Sequence, residues 1–280
     1  AGARPVVGAA GARVQVPGTG VSIVGPAGVK LAATGSMLVD DPQELSIAAI
    51  VLPAKTFRER QTMVELGYPG GPETVRIGTM AATLRHRTRE QHGTGDDGWL
   101  LTIEGDPALV VLASYQGSDR ERWKALGASL RSVEWNPRAL DPELALGVTP
   151  GPIPGMAMDR DGVGGLSYRA EPPDSENVDL SFMAFPGVLP EGADACFAAL
   201  QRSTANAASA GKPAVLQSQD GLAGCEVTTG GPDGTESYWA IVRMPNGRGI
   251  VAARGTSPKD TFSKWRPRFA AAARALRSSR

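Results

Sequence analysis

The chain is poor in the residues on which most catalytic and metal chemistry depends. Its 280 residues include only two histidines and two cysteines. Serine-type hydrolysis needs a base within hydrogen-bond reach of the nucleophile, and no G-x-S-x-G elbow occurs anywhere. Neither cysteine has a second Cys or a His at ligand spacing, which argues against zinc. Net charge is also missing: Lys+Arg and Asp+Glu stand at 29 each, so there is no cationic surplus to displace counterions, and nucleic acid is excluded as a main partner. No apolar run approaches the length that spans a bilayer, so no transmembrane segment is expected. Aromatics make up 5% of the chain, which implies modest cores.

What is abundant is turn chemistry, with 35 Gly and 22 Pro. The length fits two domains better than one. Residues 1–13, rich in Gly and Ala and without periodicity, read as a flexible leader from which a signal peptide has been removed. Cys196 and Cys225 both fall in the second half. Their expected state is a single intrachain disulfide in an oxidising compartment, the alternative being two buried free thiols in a cytosolic core.

The two halves repeat. Leu45 to Pro53 resembles Val178 to Pro186, each a strand-like apolar run closed by proline. A helical segment follows each, Thr56 to Leu66 and Ala193 to Ala210, the second with Cys196, Leu200 and Ala207 on one side. Val75 to Leu84 then matches Leu216 to Val227, with turns at Gly78 and Gly221. Hairpins follow over Trp99 to Tyr115, turning at Gly105-Asp106, and Tyr238 to Arg254, turning at Asn246-Gly247. Closing helices over Asp119 to Val133 and Lys259 to Leu276 carry Trp123 and Trp265. Trp99 and Trp239, like Trp123 and Trp265, occupy matching repeat positions and read as core anchors, and Trp135 is placed at an interdomain seam. The expected fold class is α+β: two repeated domains, each a mainly antiparallel sheet covered by helices. A first domain over 14–136 is joined by a Pro-rich linker, 137–152, to a second over 153–280.

This order of elements resembles the PsbP-like family, the Mog/PsbP-type α/β/α sandwich. The resemblance rests on the openings Pro26-Ala27-Gly28-Val29 and Ile153-Pro154-Gly155-Met156, the strand–proline–helix unit, the Gly78 and Gly221 turns, the tryptophan hairpins and the closing helices. It implies a protein of the bacterial envelope type that binds proteins or small ligands and is not, as a rule, an enzyme.

The remaining motifs favour structural roles. His86 and His92 read as parts of a solvated hairpin. Gly93 to Gly98 has the spelling of a dinucleotide loop but precedes no helix and carries Asp96 and Asp97, which repel phosphate. Asp159-Arg160-Asp161-Gly162 lacks the further oxygen ligands of a calcium loop. Arg76, Arg85, Arg87 and Arg89 could form a basic stripe on one sheet face, because alternate strand residues share a side. Long cations on an exposed strand more often keep the edge soluble, and the alternative is that this stripe is a partner-binding face. The expectation is therefore a secreted or periplasmic protein-binding module without cofactor, catalytic or metal residues. It would be an immunity or inhibitor protein, or a secretion accessory, gripping another protein such as a secreted effector or toxin with two domains. The alternative is a hydrolase with a carboxylate site built on Glu226 or Asp220.

Overall fold

The computed structural model describes residues 10–32, 36–40, 44–92, 96–159, 165–173, 177–188, 191–205, 207–231, 233–244 and 248–278. The chain divides into two compact units, one ending at Asp141 and the other running from Pro142. Each is α+β with antiparallel strand pairing.

The first unit is built on a seven-stranded sheet. In chain order its elements are β3 (Lys30–Leu31), β4 (Met37–Val39), β5 (Leu45–Leu52), helix α1 (Ala54–Leu66), β6 (Glu73–Ile77), β7 (Met80–Arg87), the short α2 (Arg89–His92), β8 (Asp97–Ile103), β9 (Ala108–Tyr115) and helix α3 (Arg120–Arg131). In space the strands run β3-β4-β5-β9-β8-β7-β6. β8 is buried at every position because helices lie over both faces, which is why Trp99 to Ile103 is apolar with little alternation. Asp119 caps α3 by accepting from the Glu121 and Arg122 amides, and Leu126 and Leu130 face Trp99, Leu101 and Ile103. A separate three-stranded sheet joins β1 (Ala10–Val16), β2 (Thr19–Pro26) and β10 (Glu134–Leu140).

In the second unit, β12 (Met156–Asp159), β13 (Leu166–Ala170), β14 (Asp179–Val188), helix α5 (Ala193–Ser203), β15 (Ser209–Ala210), β16 (Ala214–Gln217), β17 (Ala223–Gly230), β18 (Thr235–Arg243), β19 (Arg248–Pro258) and helix α6 (Lys259–Arg274) follow one another. The spatial order is β12-β13-β14-β19-β18-β17, with β15 and β16 both pairing β17. Apart from the small β15, this is the strand order of the first sheet. α6 buries Phe262, Trp265 and Phe269 against Leu180, Phe182, Tyr238, Ala240, Val251 and Ala253.

Both closing helices meet their sheet at a glycine, with the partners exchanged. On α3 it is Gly127 that receives the Trp99 ring, and a Cβ there would come within 2.8 Å of it. In the second unit the glycine is on the strand, where Gly255 leaves room for the ring of Phe269 on α6. Gly78 and Gly221 take positive φ at the β6–β7 and β16–β17 turns, a conformation costly for other residues.

Several details depart from the sequence reading. The helix from Ala193 ends at Ser203, so Ala207 lies beyond it. β1 begins at Ala10, inside the expected leader. The segment expected as a linker holds the end of β10, helix α4 (Pro142–Leu146) and β11 (Val148–Thr149), which pairs β20 (Arg277–Ser278). Pro137 is tolerated because β10 is an edge strand. Trp135 packs on the first unit's own core and donates its indole N–H to the Thr19 carbonyl at 3.1 Å. Trp99 and Trp239 do not correspond: Trp99 faces the closing helix α3, whereas Trp239 lies with α5 on the other side of its sheet. The second unit's residue in the place of Trp99 is Tyr238, which pairs Gly255 as Trp99 pairs Ala113. The Asn246-Gly247 turn lies outside the described residues.

Candidate functional site

The arginines expected to form a binding stripe are engaged within the first unit. Arg85 and Arg87 share the α1 side of β7, and Arg76 on β6 is in register with that side. Arg85 pairs Glu65 of α1 at 2.9 Å and Arg87 pairs Asp96 at 2.6 Å, with side chains about one-fifth exposed. Arg87 also stacks 4.8 Å over the Tyr68 ring, and Asp96 accepts from the Ser114 hydroxyl. Burial raises the Tyr68 phenol above its usual value despite the nearby Arg87 cation. Arg89 falls after the strand ends and binds Asp97 and the Gln116 and Gly117 carbonyls. Only Arg76 of the four is exposed.

His86 is not a solvated hairpin residue. Its ring sits 5.1 Å from Trp99 and 5.8 Å from Trp123, wedged in an aromatic cluster under α3. The His92 side chain, residues 93–95 and residues 160–164 lie outside the described residues; Asp159 is paired to Arg169 at 2.5 Å. Glu226 accepts from the Tyr238 hydroxyl at 2.7 Å and from Arg274 at 2.6 Å, tying α6 to β17 and β18. Burial, then the Glu226 hydrogen bond, hold the Tyr238 phenol far above its usual range. Asp220 accepts from the Ser278 amide. Both carboxylates of the expected hydrolase site are thus employed as structural ties.

The second unit presents a more open arrangement. Cys196, in the first turn of α5, is joined to Cys225 on β17, with Cα atoms 6.0 Å apart. Around the bridge pack Leu200, Val227 and Ile241, with Trp239 and Ile250 at the margin. α5 is only eleven residues long and covers this end of the sheet. Further along the same side come Arg254, Ser181 and Trp239 in one register row and Thr256, Asp179 and Ser237 in the next. Arg254 is exposed and lies 4.9 Å over the half-buried Trp239 ring. Beyond this row is a cavity of about 420 Å³ lined by Asn177, Asp179, Asp233, Gly234, Thr235, Thr256 and Pro258. Burial raises the Asp179 carboxyl above its ordinary value, opposed by Arg254 and Arg169. Asp233 is held below its ordinary value, first by the Thr235 hydroxyl at 2.6 Å and then by the Thr235 amide.

Sequence reasoning missed this cleft because its lining comes from three separated segments, 177–179, 233–235 and 256–258. The available signal was the alternation along β19, where Arg254 and Thr256 follow Ile250 and Ala252 on one strand side.

No protein-family profile and no curated protein matches the chain. Among solved structures it is similar to the solution structure of cyanobacterial PsbP (CyanoP) from Synechocystis sp., at 10% identity and a TM-score of 0.33, over 47% of this chain and 86% of that one. It is also similar to the apo immunity protein TplEi of the T6SS from Pseudomonas aeruginosa and to a chain of the Tle4-Tli4 complex. Each of these is 12% identical with a TM-score of 0.36, over 90% of this chain and 97% of the other. Likenesses this distant assign neither a partner nor a site residue to this chain.

Proposed function

We propose that the chain is a secreted or periplasmic protein-binding module of the immunity or inhibitor type, a tandem of two PsbP-like units that acts by occupying a partner rather than by catalysis. The observation that carries this reading is the exposed Arg254 guanidinium laid over the half-buried Trp239 ring on the second sheet. Tryptophan and arginine dominate the energetic centres of protein interfaces, and strands hold such anchors rigidly. The Cys196–Cys225 bridge supports an oxidising compartment, where such bonds persist. The expected partner is a secreted effector or toxin.

The test is affinity capture from the native host's envelope fraction with the disulfide kept oxidised. Wild-type chain should retain one secreted protein that Arg254→Ala releases. Equal recovery by both forms would remove the face from the function.

A second reading has its own support. Asp179 and Asp233 line one cleft with their carboxyls pushed in opposite directions, the division of labour that carboxylate hydrolases use. In that case hydrolysis of a chromogenic ester or glycoside should vanish in Asp179→Asn. The binding reading is preferred because Asn177, Asp179, Asp233 and Gly234 are all exposed, whereas a carboxylate hydrolase shields its reacting charges from bulk solvent.

A further inference from the structure

We infer that the cleft at the end of the second sheet is a socket for a basic side chain of the partner protein. The inference rests on the binding reading above and names the chemistry that would fill the site. The cavity lies directly beside the Arg254–Trp239 stack on the same sheet side, because Thr256 follows Arg254 by two residues and pairs Asp179 as Arg254 pairs Ser181. A partner seated on the stack therefore covers the cavity mouth.

The lining determines what fits. It has two carboxylates, Asp179 and Asp233, the hydroxyls of Thr235 and Thr256, the Asn177 amide, and no cation. The cations nearest to Asp179 are outside the lining and already occupied: Arg169 is paired to Asp159, and Arg254 is laid on Trp239. Asp179 receives no direct ion pair from either of them. Arg169 stands opposite Asp179 in the strand register and both arginines act on its carboxyl from beyond ion-pair distance, so an incoming guanidinium or ammonium would supply a direct ionic contact. No group of three or more metal-ligating side chains converges among the described residues, so the cavity suits an organic cation better than a metal ion. A volume of about 420 Å³ admits the end of an extended arginine or lysine with its hydration. Arginine's planar fork should be favoured, since it can bridge a carboxylate and a hydroxyl together. A protein side chain, rather than a free polyamine, is the committed occupant, because a small cation would leave the neighbouring stack uncovered.

The experiment is an NMR titration of the isotope-labelled full-length, oxidised chain with N-acetyl-arginine methylamide. N-acetyl-lysine, N-acetyl-glutamine and N-acetyl-glutamate methylamides are titrated in parallel. The arginine probe should shift the Asp179, Gly234, Thr235 and Thr256 amides saturably, with the lysine probe weaker and the neutral and acidic probes without effect. In Asp179→Asn/Asp233→Asn the affinity should fall by about tenfold or more while amides elsewhere keep their positions. No saturable shift with arginine, an equal response to glutamine, or unchanged affinity in the double variant overturns the socket. The binding reading is judged separately by capture of the partner. A partner retained by wild type and equally by the double variant refutes the socket alone, whereas loss of all capture by the wild type refutes the reading beneath it.

Discussion

Reducing the Cys196–Cys225 bridge should destabilise one unit and leave the other unaffected. The two cysteines are 29 residues apart, and both are buried in the second unit between α5 and β17. In the chain-entropy description, opening a loop of that length returns about 3.6 kcal/mol of conformational freedom to the denatured chain at room temperature. For a unit of this size, unfolding in urea with a slope near 2 kcal/mol per molar, that loss moves the midpoint down by roughly 1.5–2 M. The first unit has no cysteine and should show no such shift. The assay is hydrogen exchange by mass spectrometry across a urea series, with and without reductant, following peptides from β17 and β18 against peptides from β8 and β9. Protection in the second unit should collapse at lower urea on reduction. Unchanged protection there would show that the bridge contributes little. Equal losses in both units would show that they unfold together, which would refute the assignment of the staple to one of them.

Four further outcomes are expected. Asp40 is 1% exposed and its carboxylate is held by Arg122 at 2.6 Å, so Arg122→Met should cost about 3 kcal/mol and Arg122→Met/Asp40→Asn should recover much of it in thermal melts. Because Tyr238, Tyr68 and Tyr168 all have raised phenols, the unfolded chain releases protons first as pH climbs past 10; stability present below that pH should fall above it, with tyrosinate absorbance appearing together with loss of circular dichroism. Asp179 has a raised carboxyl, so the fold is disfavoured by its ionisation as pH rises; Asp179→Asn should therefore melt at or above the wild-type temperature near neutral pH and lose that advantage below pH 3.8, where the unfolded carboxyl is also protonated. In α1, Phe57 is the one fully buried residue among those described and Leu66 is 70% exposed, so α1 amides should exchange faster than those of the bridged α5.

The parts of the fold legible in the sequence are those written locally. Proline after an apolar run marks the ends of β5's strand–helix unit, and the glycine turns and closing helices stand within a few residues of where spacing puts them. Which side of a sheet a residue faces was harder to read. Trp239 and Trp99 each follow a similar approach to a hairpin, yet a one-residue offset in register puts them on opposite faces. Within the matched segments Val75 to Leu84 and Leu216 to Val227, likewise, Ala82 faces α3 and Cys225 faces α5. The arginine stripe misled because alternation reports a shared side but not the carboxylates that wait there. Glu65 reaches Arg85 from a helix twenty residues earlier, and that pairing exists only once α1 has docked. The cleft was invisible for a like reason, since it forms where three strand ends converge.

The glycines under the closing helices bear on how two units with one strand order avoid exchanging helices. Two units with the same strand order offer each closing helix two sheets on which to dock. If α6 settled on the first sheet, the Phe269 ring would meet Trp99 where only Gly127 leaves room. If α3 settled on the second, Gly127 would bring no ring to fill the space that Gly255 leaves beside Tyr238. The first mistake costs overlap and the second a cavity, each worth several kcal/mol. Trp99 fills the space over a helix glycine in one unit and Phe269 fills the space over a strand glycine in the other, so each helix fits its own sheet by shape and crossed pairing is disfavoured as the chain folds.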